Sequence, residues 1–128
     1  MKHIIAVHDL SGFGRCSMSV VLPTLSAMGV RAYPLLTAYL SANTAFPPTG
    51  HEVFLDLTDE MGRVLEHWKA LGAKFDGFYS GFLGSPAQMD VLTACLRDFH
   101  RPGFFVMVDP VIGDNGKPYR TYTPELCA

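Results

Sequence analysis

Short apolar runs that end in glycine-rich polar turns alternate along this chain with stretches whose apolar residues recur every three or four positions. No other feature restricts the fold as strongly. A strand followed by a helix returns to the same sheet by a right-handed crossover, which builds a mostly parallel sheet with helices on its faces. His3 to Val7 is the first run and feeds Asp9-Leu10-Ser11-Gly12. Val20, Val21, Leu25 and Met28 then give helical spacing over 17–28, with Gly29 as the C-terminal cap and Pro23 implying a kink or a later start. Arg31 to Thr37 is the second strand, and the prolines and small residues of 38–50 make a loop or a short edge hairpin. Met61, Val64, Leu65, Trp68 and Leu71 mark the core face of a helix with Asp59 and Glu60 in its first turn and Gly72 after its end. Gly77 to Ser80 is a strand. Ser85-Pro86-Ala87-Gln88 has the pattern of a capping box opening a helix whose core face carries Met89, Leu92, Leu96 and Phe99. Gly103 to Val108 is the last and strongest strand.

These elements form one α/β unit of 128 residues, long enough to bury one core. Apolar residues at 48% and charged ones at 17% exclude a disordered tail or a coiled coil. A formal charge of −2 leaves no basic footprint for nucleic acid. No apolar run approaches the roughly 18 residues of a membrane span, and Met1-Lys2-His3 with its short apolar sequel is too brief for a signal peptide. Cys16, Cys95 and Cys127 lie far apart without metal spacing, which points to reduced thiols in a cytosol. Thr123-Pro124-Glu125 is a helix start with only three residues after it, fewer than the roughly 12 that a helix usually needs. The expectation is a portion of a longer domain, interrupted near residue 128, with a last strand whose edge lacks a partner.

In an open parallel sheet, ligands bind beyond the carboxyl ends of the strands. Three such ends are rich in glycine and short polar residues: Asp9 to Ser17, Ser80 to Ser85, and Asp109 to Asp114. Glycines there admit a ligand to the backbone, hydroxyls exchange hydrogen bonds, and aspartates suit a metal–phosphate group. Three on one rim point to a small-molecule site. Gly12-x-Gly14 lacks the third glycine of a dinucleotide fingerprint, and no P-loop, G-x-S-x-G or H-E-x-x-H pattern occurs. The five histidines show no metal spacing and suit surface or capping positions.

Asp9-Leu10-Ser11-Gly12-Phe13-Gly14, Pro34-Leu35-Leu36-Thr37, Ser41-Ala42-Asn43-Thr44, Ser80 to Ser85, Asp109 to Asp114 and Tyr122 to Leu126 appear in an order and spacing that resemble the bacterial pyridoxal (pyridoxamine) kinases, ribokinase-like vitamin kinases. The resemblance spans essentially the whole chain, and members of the family are about twice as long. It implies a ribokinase-like α/β fold, with this chain its N-terminal half. It also implies phosphorylation of the 5′-hydroxymethyl group of pyridoxal, pyridoxamine or pyridoxine by ATP with Mg²⁺. Carried over position by position, Asp9 or Ser11 contacts the ring, Asp9 standing where serine is common. Thr44 bonds the pyridine or its substituents, and Phe82 lies against the ring where tyrosine is frequent. Asp109 sits by the ATP phosphates and their cation, with Asp114 as a companion, and Tyr122 lines the nucleotide side. Without the resemblance Thr44 serves equally as a loop former, Asp109 before Pro110 as a turn former, and Phe82 as core; Arg15 pairs with a phosphate or with a surface acid. The family's glycine-rich anion hole and catalytic aspartate have no counterpart here, so the segment is expected not to turn over alone. Hydroxymethylpyrimidine kinases of thiamin synthesis and a non-catalytic ligand-binding fragment are the alternatives, and the family's dimers suggest pairing of two copies around Ala38 to Pro48.

Overall fold

The computed structural model describes residues 1–119 and 122–127. β1 (Lys2–Phe13) leads through α1 (Met18–Ala27) to β2 (Val30–Ala42), then to β3 (Phe54–Asp56), α2 (Thr58–Ala70), β4 (Gly77–Ser80), α3 (Pro86–Phe99) and β5 (Phe105–Val108). A small hairpin of β6 (Gly113–Asp114) and β7 (Lys117–Pro118) follows, then α4 (Pro124–Cys127). Ala128 and the side chain of Cys127 lie outside the described residues. The five-stranded sheet runs β3-β2-β1-β4-β5 and is parallel except for β3, which pairs antiparallel to β2 with Ala38 opposite Asp56.

β1 is central, and the chain leaves it first to one side, through α1 to β2, and later returns to the other side, through α2 to β4. Right-handed crossovers in opposite directions place the helices on opposite faces, so the strand order reverses beside β1. The core lies under α2 and α3. Ile5, Val7, Leu35 and Phe78 from the sheet meet Met61, Leu65, Leu92, Cys95 and Phe99 from the helices, with Phe75 stacked edge-on against Phe99 and Tyr33. On the other face Met18 of α1 is buried.

Two elements, β1 and β2, run further than the spacing suggests. β1 continues past Val7 to Phe13, because Leu10, Ser11 and Phe13 pair with Tyr39, Leu40 and Ala42 of a correspondingly longer β2. The turn-forming residues Asp9 to Gly12 are thus held extended by a neighbouring strand. Ala38 to Ala42 is strand, and its outer edge is covered at Ala38 to Leu40 by β3, which makes the hairpin with β2 and presents Phe54 and Leu55 as the exposed border. α1 runs through Pro23, exposed in its middle, without a break in assignment.

The two longer helices begin and end where their apolar spacing places them, but their faces differ in detail. Val64, Leu71 and Met89 are exposed, and Cys95 and Gln88 take the inward positions beside Leu92 and Phe99. Ser85 caps α3 without a side-chain hydrogen bond, so the capping box does not form; the Gln88 backbone N–H donates to Ser85 O (3.1 Å) and its side chain turns into the protein. Gly29 and Gly72 follow α1 and α2 with φ of +74° and +67°, the left-handed conformation that closes a helix at little cost to glycine.

Candidate functional site

The carboxyl ends of β4 and β5 are tied in one row to the middle of β1. Gly81 N–H donates to Val7 O (2.9 Å), and Asp109 N–H donates to Ser80 O (2.8 Å). Asp9, Ser11, Thr37 and Ser80 are all buried here, an unusual density of polar side chains for the end of a core. Ser11 Oγ accepts from the Cys16 thiol (3.5 Å), which draws the start of α1 towards β1. Asn43 N–H donates to Phe13 O (3.0 Å), its Oδ1 accepts from Ala45 N–H (2.7 Å), and the Phe13 and Phe46 rings lie 5.1 Å apart. Gly14 sits beneath this closure: a side chain there would meet Phe46 at 2.8 Å, and its φ is +84°.

His8 is buried in the middle of the row, contrary to the expectation of a surface position. Its ring packs edge-on against Tyr79 at 4.5 Å, and a methyl group at Gly81 would overlap its imidazole. Burial holds the His8 pKa below 6.5, while the carboxylates of Asp9 and Asp109 pull it back upward. Its Nε2 is buried without a hydrogen-bond partner. The two carboxylates expected on the substrate and phosphate sides thus both act on this one buried imidazole, against the effect of its burial. A histidine between Val7 and Asp9, inside an apolar strand, was the available signal.

Gln88 is the second residue that motif reasoning missed. It is fully buried, accepts from Gly84 N–H (2.8 Å), and donates to Thr37 O (2.8 Å) and Thr58 Oγ1 (3.1 Å). Its position four residues before Leu92 and eleven before Phe99 on the inward stripe was the signal, masked by the capping-box pattern.

The remaining expected residues are less enclosed. Phe82 is half-buried in the loop between Gly81 and Gly84, and Thr44 is exposed beyond β2. Asp109 is exposed, with Oδ1 accepting from Val111 N–H (3.1 Å). Val111 has a φ of +43°, a costly conformation for a β-branched residue, fixed by that turn. Asp114 is exposed on β6, and Tyr122 is half-buried with its N–H donated to Tyr119 O (3.0 Å). No cluster of three or more histidine, cysteine or acidic side chains that could cage a metal occurs among the described residues. One exposed strand-end carboxylate does suit Mg²⁺, which is commonly held by one or two carboxylates together with substrate phosphates. Among the described residues no helix is long and apolar enough to cross a membrane.

This sheet, its reversal beside β1 and its glycine-rich carboxyl ends define the ribokinase-like fold of the vitamin kinases. Within that class the chain is a relative of the pyridoxal kinases. It is 27% identical over 91% of its length to pyridoxal kinase PdxY of Burkholderia thailandensis, covering 41% of that protein. The pyridoxal kinase structure from Lactobacillus plantarum superposes with a TM-score of 0.87 at 30% identity, over 98% of this chain and 44% of that one. A Bacteroides thetaiotaomicron protein described as a phosphomethylpyrimidine kinase, crystallised in a form with pyridoxal, gives a TM-score of 0.90 and 47% identity, over 98% of this chain and 43% of that one. The chain thus spans about two fifths of the relatives it matches. No family model matches it.

Proposed function

We propose that this chain forms the substrate-side part of a cytosolic kinase that phosphorylates the 5′-hydroxymethyl group of a B6 vitamer, pyridoxal, pyridoxamine or pyridoxine, using ATP and Mg²⁺. The observation that carries the reading is the 47% identity to a protein whose crystal contains pyridoxal. In this reading Asp9 and Ser11, buried at the end of β1, present hydrogen-bonding groups to the ring substituents. Thr44 closes the site from the β2 side, and Phe82 covers a face of the ring. Asp109 follows β5, two strands from β1, on the phosphate side, with Asp114 and Tyr122 beyond it. Bound Mg²⁺ would neutralise phosphate charge at Asp109.

Phosphoryl transfer also needs hydrogen-bond donors around the developing charge and a base for the attacking hydroxyl. None of the residues named here is assigned either task, so the 128 residues are expected to bind without turning over. The pairing of two copies expected around Ala38 to Pro48 would have to run along β3 instead, since β3 covers Ala38 to Leu40 and leaves Phe54 and Leu55 exposed. Hydroxymethylpyrimidine is the alternative substrate, favoured by the description of that same Bacteroides relative. Titration of the chain with pyridoxal and with hydroxymethylpyrimidine, followed by an assay with ATP and Mg²⁺, tests these readings together. Tighter binding of pyridoxal with no phosphorylated product is expected. Tighter binding of hydroxymethylpyrimidine would transfer the assignment to the alternative, and a measurable ATP-dependent rate would show that the transfer machinery is present after all.

A further inference from the structure

We propose that Gln88 is a positioning residue. Its buried amide locks the Gly81–Gly84 loop, and with it Phe82, against β2 and the start of α2, so that the aromatic platform for a planar heteroaromatic ring exists before the ligand arrives. That the platform takes such a ring rests on the function proposed above; the locking itself does not.

The amide orientation follows from its partners. Gly84 N–H can only donate and Thr37 O can only accept, so Oε1 must face Gly84 and Nε2 must face Thr37. The other Nε2 proton goes to Thr58 Oγ1, whose own hydrogen is donated to Asp56 Oδ1. One side chain thereby joins three segments: the β4–α3 loop, the middle of β2 at Thr37, and the start of α2 at Thr58. Both Nε2 protons are used. A buried amide engaged in this way is costly to disturb, because its own polar atoms would lose their partners away from water; of those partners, Thr37 O keeps a bond from Leu57 N–H (3.1 Å) and Thr58 Oγ1 keeps Asp56. At its other end the loop is fixed by Gly81, whose N–H bonds Val7 O and whose Cα leaves no room for a side chain beside His8. A loop of four residues anchored at both ends has little conformational freedom left to lose on binding, which is the condition for a preorganised site.

The test uses the full chain with pyridoxal as probe, the variants Gln88→Met and Gln88→Glu, and amide hydrogen exchange at Gly84. Methionine keeps the volume and removes all three bonds. It is expected to speed Gly84 exchange and weaken pyridoxal binding by about tenfold or more each. Glutamate separates positioning from packing. Ionised, it repels Thr37 O; protonated, it donates to that carbonyl and still accepts from Gly84. Its deficit in pyridoxal affinity, relative to the parent at the same pH, is therefore expected to be large at pH 8 and to shrink as pH falls towards 5.

Unchanged Gly84 protection in Gln88→Met would overturn the proposal, as would a glutamate deficit independent of pH. If Gln88→Met does not fold, the parent still decides: a Gly84 amide already exchanging at open-loop rates overturns the locking, and protection equal to that inside α3 supports it. A parent that shows the expected Gly84 protection but binds no pyridoxal overturns the vitamin reading alone and leaves the locking in place.

Discussion

β4 and β5 are adjacent parallel strands of four residues each, and β5 has the more apolar sequence. Gly77, Phe78 and Ser80 of β4 are nevertheless buried, whereas Phe105, Val106, Met107 and Val108 of β5 are between 44% and 62% exposed. β4 is flanked by β1 and β5 and lies under α2 and α3; among the described residues β5 has a partner on one side only and contributes nothing to the core cluster. Apolar composition marks a strand, but its neighbours decide what it buries.

Replacing Phe78 and Phe105 separately by alanine puts that contrast to the hardest test. Phe78→Ala is expected to cost about 3–5 kcal/mol, as for a fully buried phenylalanine, and Phe105→Ala under about 1 kcal/mol, both read from urea unfolding. Equal costs would show that β5 is covered in solution. The β1–β4 seam is probed next. Gly81→Ala forces a methyl group against His8 and is expected to cost about 1–3 kcal/mol, with part of the loss recovered when His8 is also reduced to alanine. A harmless Gly81→Ala would mean that the seam is looser than the row of hydrogen bonds implies.

The smallest effect comes from His8 itself. Its folded pKa lies below the unfolded value near 6.5, so the unfolded chain takes up the proton first as pH falls. Stability is therefore expected to decline between pH 7 and 5 by at most about 1.4 kcal/mol per pH unit from this group, and His8→Asn should flatten that slope. A slope that survives the substitution would move its origin to another group. Cys95 offers a neighbouring control on burial, since the core and the nearby Asp98 carboxylate push its thiol up to about 12.

The helices were legible because periodicity and glycine closure are local signals: Met61, Leu65 and Trp68 face inward, and Gly29 and Gly72 stand where left-handed residues are needed. The sheet class was legible from the alternation alone. The length of β1 was not, because Asp9, Ser11 and Gly12 favour turns locally and are extended only by pairing with a strand some thirty positions along. For the site, the glycine-rich carboxyl ends identify the rim, and Asp9, Ser11 and Asp109 do lie on it. Gln88 and His8 were hidden for a common reason: each is polar at a place where the local pattern offers an ordinary explanation, a cap for one and the surface for the other. Only the tertiary neighbours give them a different role.

The bond from Gln88 to Thr37 joins residues 51 positions apart, and all its associated partners lie earlier in the chain than Gln88 itself. During synthesis at roughly 5–20 residues per second, the Thr37 carbonyl therefore waits about 3–10 s before its amide partner is made. The substrate-side residues Asp9, Ser11, Thr44 and Phe82 are by then all made, whereas β5 and the Asp109 that follows it are still to come, so the two sides of the rim are completed in a fixed order.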